Sequence, residues 1–178
     1  MSNNVLETLD ADELAALARI DLDADRLDAA LVKLKLAEEK NGPAEVYALL
    51  GRLYAKLELF ERAQKSFKKY LEIHPDSLVT HFQYGMVHLD SGDLDGAMAI
   101  FEQVLEKDSS HPPTLFHKAL ALSNKGEQSA ALKVLDDLLV SAAKDNFFYE
   151  RALELRAKIN AAQSSAMSDD SVVSTAIN

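Results

Sequence analysis

The 178-residue chain has no cysteine. This excludes a disulfide framework, a thiolate zinc site and a cysteine nucleophile, and it fits a reducing compartment. Six glycines and four prolines are few for this length, and they leave little material for a glycine loop that cradles phosphate. No apolar run approaches the roughly 20 residues that a membrane-spanning helix requires. The opening Met1-Ser2-Asn3-Asn4 has neither the basic start nor the apolar stretch of a secretory signal, so a cytoplasmic protein without membrane insertion is expected. Positive charge is scarce: 19 Lys and Arg face 29 Asp and Glu, a formal charge of -10. That excess opposes binding to nucleic-acid phosphates and anionic lipid.

What the chain does have is helix-forming composition, rich in Ala, Leu, Glu and Lys, and a repeat. Tyr47, Leu50, Gly51 and Tyr54 are followed by Ala63, Phe67 and Tyr70. Displaced by 34 residues stand His81, Tyr84, Gly85 and His88, followed by Ala97, Phe101 and Val104. A third set at the same displacement reads Leu115, Lys118, Ala119 and Leu122, then Ala131, Leu135 and Leu138. Three units follow, 44–77, 78–111 and 112–145. Gly51, Gly85 and Ala119, with Ala63, Ala97 and Ala131, are small enough for two helices of a unit to approach closely. Pro75 and Pro112 mark junctions where a helix must stop.

This pattern resembles the tetratricopeptide repeat (TPR) family, whose unit is a helix-turn-helix of 34 residues. The resemblance implies an all-α protein, a right-handed α-α superhelix, with protein-protein interaction as its work. Upstream, 1–43 reads as a degenerate TPR-like helical pair. Asp10 and Glu13 form a capping box there, and Ala30, Leu34 and Ala37 recur 33 residues before Ala63, Phe67 and Tyr70. Downstream, Asn146 begins a capping helix, 146–163, that covers the open end of the array. The tail, 164–178, lacks an apolar helical stripe and is expected to be disordered.

No residues are nominated for catalysis, and no cofactor or metal is expected. Asp21, Asp23 and Asp25 take alternate places of a calcium-loop pattern, but Arg26 and Val32 occupy its glycine and glutamate places. His81 and His88 stand two helical turns apart, about 10 Å, too far to share an ion. Nucleophile motifs and convergent carboxylate pairs are missing. Charge is uneven: residues 1–43 carry five basic and ten acidic groups, 44–77 six and five, 78–111 one and six. The basic cluster, Arg62, Lys65, Lys68 and Lys69, follows one helix and reads as its wet face, with a partner-docking patch as the alternative.

The first helix of 78–111 is apolar on two sides. His81, Tyr84, Gly85 and His88 form one stripe, and Val79, Phe82, Met86 and Leu89 form the other. Packing against a partner helix needs only one. By resemblance to the family, the concave peptide groove is lined by Glu45, Ala48, Arg52, Ala55 and Lys56, by Val79, Phe82, Met86, Leu89 and Asp90, and by Pro113, Phe116, Leu120, Ser123 and Asn124. Arg52, Lys56, Val79, Phe82, Met86, Leu89, Phe116, Leu120 and Asn124 are the candidate binding residues. Burying the four apolar residues of the second stripe against a ligand is worth roughly 6–12 kcal/mol gross. The competing expectation is that neighbouring helices, the capping helix, or Val172 and Val173 of the tail already cover this face. The family's carboxylate clamp, which holds chaperone C-termini, is not matched, because Ala48, Arg52, Gln83, Pro113 and His117 stand at its positions. The leading reading is thus an adaptor that binds an apolar peptide or helix of another protein. A secretion-type chaperone that shields apolar segments of a client, and a scaffold that self-associates into a homo-oligomer, are the alternatives.

Overall fold

Every regular element is helical among the residues described by the computed structural model, 3–175, with side chains described for 5–164. The chain opens with α1 (Asn3–Thr8), α2 (Ala11–Asp23) and α3 (Leu27–Glu39), followed by α4 (Glu45–Lys56), α5 (Phe60–Ile73) and α6 (Leu78–Asp90). Then come α7 (Leu94–Lys107), α8 (Pro112–Asn124), α9 (Gln128–Ser141) and α10 (Phe147–Thr175).

Short polar side chains start several of these helices. The Glu13 amide donates to Asp10 and the Asp10 amide to Glu13, each at 2.9 Å, so the predicted capping box heads α2. Ser77 accepts from the Thr80 amide at the head of α6, Pro112 occupies the first turn of α8, and Asn146 accepts from the Phe148 amide before α10.

The turns keep the sequence period. Asp25 (φ 58°), Glu58 (φ 56°), Gly92 (φ 83°) and Gly126 (φ 83°) are left-handed and follow α2, α4, α6 and α8. The next amide in each turn, that of Arg26, Leu59, Asp93 or Glu127, returns to a carbonyl of the helix just ended, at 2.8–2.9 Å. This satisfies backbone acceptors that a helix end leaves open. Glycine takes the conformation freely, whereas Asp25 and Glu58 adopt it against the steric preference of an L-residue.

The helices gather around two cores, one in the part ending at Asp93 and one in the part beginning at Leu94. In the first, Leu14, Ala18 and Leu22 of α2 meet Ala30, Leu34 and Ala37 of α3, and Leu50 and Leu53 of α4 meet Ala63 and Phe67 of α5. A Cβ at Gly51 would lie 2.6 Å from carbons of the Phe67 ring, so the glycine sets how closely α4 and α5 approach. In the second, Leu115, Ala119 and Leu122 of α8 pack with Ala131, Leu135 and Leu138 of α9 and with Ala152 and Ile159 of α10. The segment 78–111, one unit by sequence period, gives α6 to the first part and α7 to the second.

Two features differ from the sequence expectation. A short α1 precedes α2, and α10 continues to Thr175, where the sequence predicts disorder from 164. No glycine or proline occurs after Gly126, so nothing in the backbone stops the helix at Gln163. The side chains of Val172 and Val173, proposed as covers for the groove, lie outside the described residues, as do residues 176–178. Among the described residues no helix is long and apolar enough to cross a membrane.

Candidate peptide-binding cleft

The two apolar faces of α6 have different surroundings. Gly85 and Val87 are buried, and Tyr84 packs against the first core. On the other stripe Val79 is 68% exposed, while Phe82, Met86 and Leu89 are half-buried. Less apolar surface therefore remains for a ligand than the full stripe suggests, and the gross gain falls to roughly half, about 3–6 kcal/mol.

Part of the stripe opens into a cleft. Arg52, Ala55 and Lys56 of α4 and Gln83, Met86, Val87 and Asp90 of α6 enclose about 210 Å³, with Phe67 of α5 also lining it. An adjoining cleft of about 430 Å³ shares Ala55, Lys56 and Asp90 and adds Glu58 and Phe60. Of the sequence-predicted residues, Arg52, Lys56 and Met86 converge here. Val79, Phe82 and Leu89 lie on the same helix without lining the cleft.

Charge frames this cleft. Arg52 donates to Asp23 at 2.9 Å and Lys56 donates to Asp25 at 2.9 Å. Both pairs are solvent-exposed and of small net worth, so an incoming group can displace either partner at little cost. Burial pushes the Asp90 carboxyl above its usual range. Asp21, Asp23 and Asp25 go to separate cations: buried Asp21 accepts from Lys33 at 2.5 Å and from Arg26 at 2.8 Å, and the Lys33 bond foremost holds its pKa low. The sequence shows the alternating aspartates but not their partners, which lie 29 and 31 residues away for Asp23 and Asp25. Gln83, Val87 and Phe67 are not among the sequence candidates, because only the packing of α4, α5 and α6 turns them to one space.

In the second part the outcome is different. Phe116 is 4% exposed, a core residue rather than an open groove residue. Phe148 of α10 lies 5.6 Å from it, ring centre to ring centre, and the Arg151 guanidinium sits 4.7 Å over its face. The capping helix covers it. Leu120 is half-buried in a separate cleft of about 160 Å³ with Arg151, Glu154, Leu155 and Lys158, and Asn124 is exposed at the end of α8. The histidines diverge: the His81 Nδ1 lies 3.0 Å from the Ser77 carbonyl, that of His88 2.7 Å from Asp93, and that of His111 2.7 Å from the Thr114 hydroxyl.

Helices paired through turns at a 34-residue period, with small residues at the close contacts, define a helical-repeat protein. The tetratricopeptide repeat pattern matches residues 44–77 and, in a second form, residues 88–159. The chain belongs to the tetratricopeptide repeat family. Over 79 residues it is 33% identical to the TPR repeat-containing protein MJ1428 of Methanocaldococcus jannaschii. That match covers 44% of the chain but 14% of the relative, so the chain spans a small fraction of that protein's length. Among solved structures, YrrB, a TPR protein with an unusual peptide-binding site, superposes with a TM-score of 0.72 at 21% identity, covering 81% of this chain and 74% of YrrB. The TPR2B-domain:pHsp70 complex of yeast Sti1 gives 0.61 at 21% identity over 66% of this chain and 95% of the domain. At these identities the likeness is one of fold.

Proposed function

We propose that this chain is a non-catalytic adaptor, working in the cytoplasm, whose cleft between α4 and α6 receives an apolar side chain of a partner peptide. The TPR fold supports a protein-protein interaction module, and the peptide-binding descriptions of YrrB and the Sti1 complex favour a peptide as the partner. The observation that carries the reading is the cleft itself, apolar along Ala55, Met86 and Val87 and rimmed by two cations in exchangeable ion pairs. An apolar anchor would seat beside Met86, whose flexible thioether adapts to different side chains. Arg52 and Lys56 would trade Asp23 and Asp25 for carbonyl or carboxylate oxygens of the partner.

A benzophenone amino acid at Gln83 would crosslink such a partner in cell extract, and Met86→Asp would abolish the crosslink while leaving the circular dichroism spectrum unchanged. Crosslinking that persists in a folded Met86→Asp variant removes the cleft from consideration.

A further inference from the structure

Another cleft, of about 170 Å³, lies among α3, α4 and α5, and its character is opposite to that of the chain as a whole. Lys35, Arg62, Lys65 and Lys69 line it, with Glu38 as its one carboxylate. Four cations thus face one anion in a protein whose net charge is -10. Glu38 is ionised, its carboxyl held below the usual range foremost by the hydrogen bond from Lys35 at 2.6 Å, with Lys69 3.8 Å away. Among the described residues neither Arg62 nor Lys65 has a carboxylate within ion-pair reach.

Two of these cations are held in place by aromatic faces. The Lys69 ammonium sits 4.8 Å from the centre of the Tyr47 ring, and the Arg62 guanidinium 5.8 Å from that of Tyr54. Both tyrosines line the cleft. Such contacts hold a charge in position before a ligand arrives and reduce the ordering cost of binding. The arrangement is therefore more than the wet face of α5: three helices bring lysine, arginine and tyrosine to one concavity.

We infer that this cleft is a binding site for a phosphoryl group, free or carried on a phosphorylated side chain. Size and charge both select that ligand. The volume is below the roughly 300–1,000 Å³ of a site for a drug-sized molecule, yet it holds several times the roughly 30 Å³ share of one water. The three positive charges in excess suit a group of about -1.5 to -2 better than a single carboxylate. The Arg62 guanidinium offers the planar donor fork that phosphate oxygens accept.

The test is an amide NMR titration of the whole chain at pH 7.5 with three probes, inorganic phosphate, phosphoserine and phosphotyrosine, each against sodium chloride at matched ionic strength. Saturable shifts at Tyr47, Tyr54, Ser66 and Lys69 that chloride does not reproduce are expected. The double variant Arg62→Gln, Lys65→Gln should weaken the half-saturation at least about tenfold with helicity unchanged. Arg62→Lys, which keeps the charge and loses the fork, should fall between. Saturation by inorganic phosphate identifies the free anion as sufficient; saturation by the phospho-amino acids alone identifies a modified side chain. Shifts that follow ionic strength equally in chloride, or a half-saturation unaltered in the double variant, overturn the site.

Discussion

Glu58 and Gly51 show how single residues set the local geometry of the repeat. Glu58 closes α4 with φ 56°, at the place where Gly92 and Gly126 close α6 and α8 with φ 83°. Its carboxylate makes no ion pair among the described residues, so the left-handed backbone is what the position demands. Glu58→Gly should stabilise the protein by about 0.5–1 kcal/mol, the relief of the left-handed strain being partly offset by the freer unfolded chain. Urea denaturation measures this, and a lower midpoint for the glycine variant contradicts it. Gly51 is the reverse case, since its missing Cβ is filled by the Phe67 ring. Gly51 was visible in the sequence as a member of the 34-residue period. The left-handed backbone of Glu58 was not, because a glutamate gives no local sign of it.

Among the elements, α10 has the clearest effect on what α8 exposes. Its Phe148 and Arg151 cover Phe116, and its Ala152 and Ile159 complete the second core. A helix that presents an apolar stripe in a repeat array needs a cover at the open end, and α10 supplies it for α8. Phe148→Ala should cost about 2 kcal/mol, less than for a fully buried phenylalanine because this ring is half-buried. It should also expose Phe116 to the hydrophobic dye ANS. An unchanged urea midpoint with no added dye binding would show that α8 is closed by something else. The sequence predicted a capping helix from Asn146; that it seals Phe116 could not be read from it, because a stripe does not specify which helix will cover it.

For the whole molecule, charge and proton binding divide stability by pH. Burial, aided by the nearby Arg151 charge, lowers the His117 pKa from 6.5 to about 4. The unfolded chain then binds a proton that the folded one refuses, so stability is full above 6.5 and is lost as pH falls towards 4. Between pH 7 and 5 this amounts to about 2 kcal/mol, or roughly 4–8 °C in Tm. Asp21 and Glu38 act lower. Their depressed pKa values favour the folded state above their ordinary 3.8 and 4.5, and that contribution disappears as pH falls through the folded values. Thermal melts should therefore show two acid limbs, and His117→Leu should remove the upper one alone. A variant whose Tm falls between pH 7 and 5 as steeply as the parent's would assign that limb to another group.

The sequence by itself determined the repeat and its family, because a period of 34 and small residues at helix contacts are properties of chain order. The resemblance to that family implied that Arg52, Lys56 and Met86 line one groove. Only the tertiary structure decided that these three share one cleft while Phe116 lies under α10, and that Arg62 and Lys65 join Lys35 in a concavity instead of lining an open helix face. The physical reason is that periodicity fixes which side of a helix a residue occupies. Burial and charge pairing depend on what another helix, tens of residues away, brings to that side.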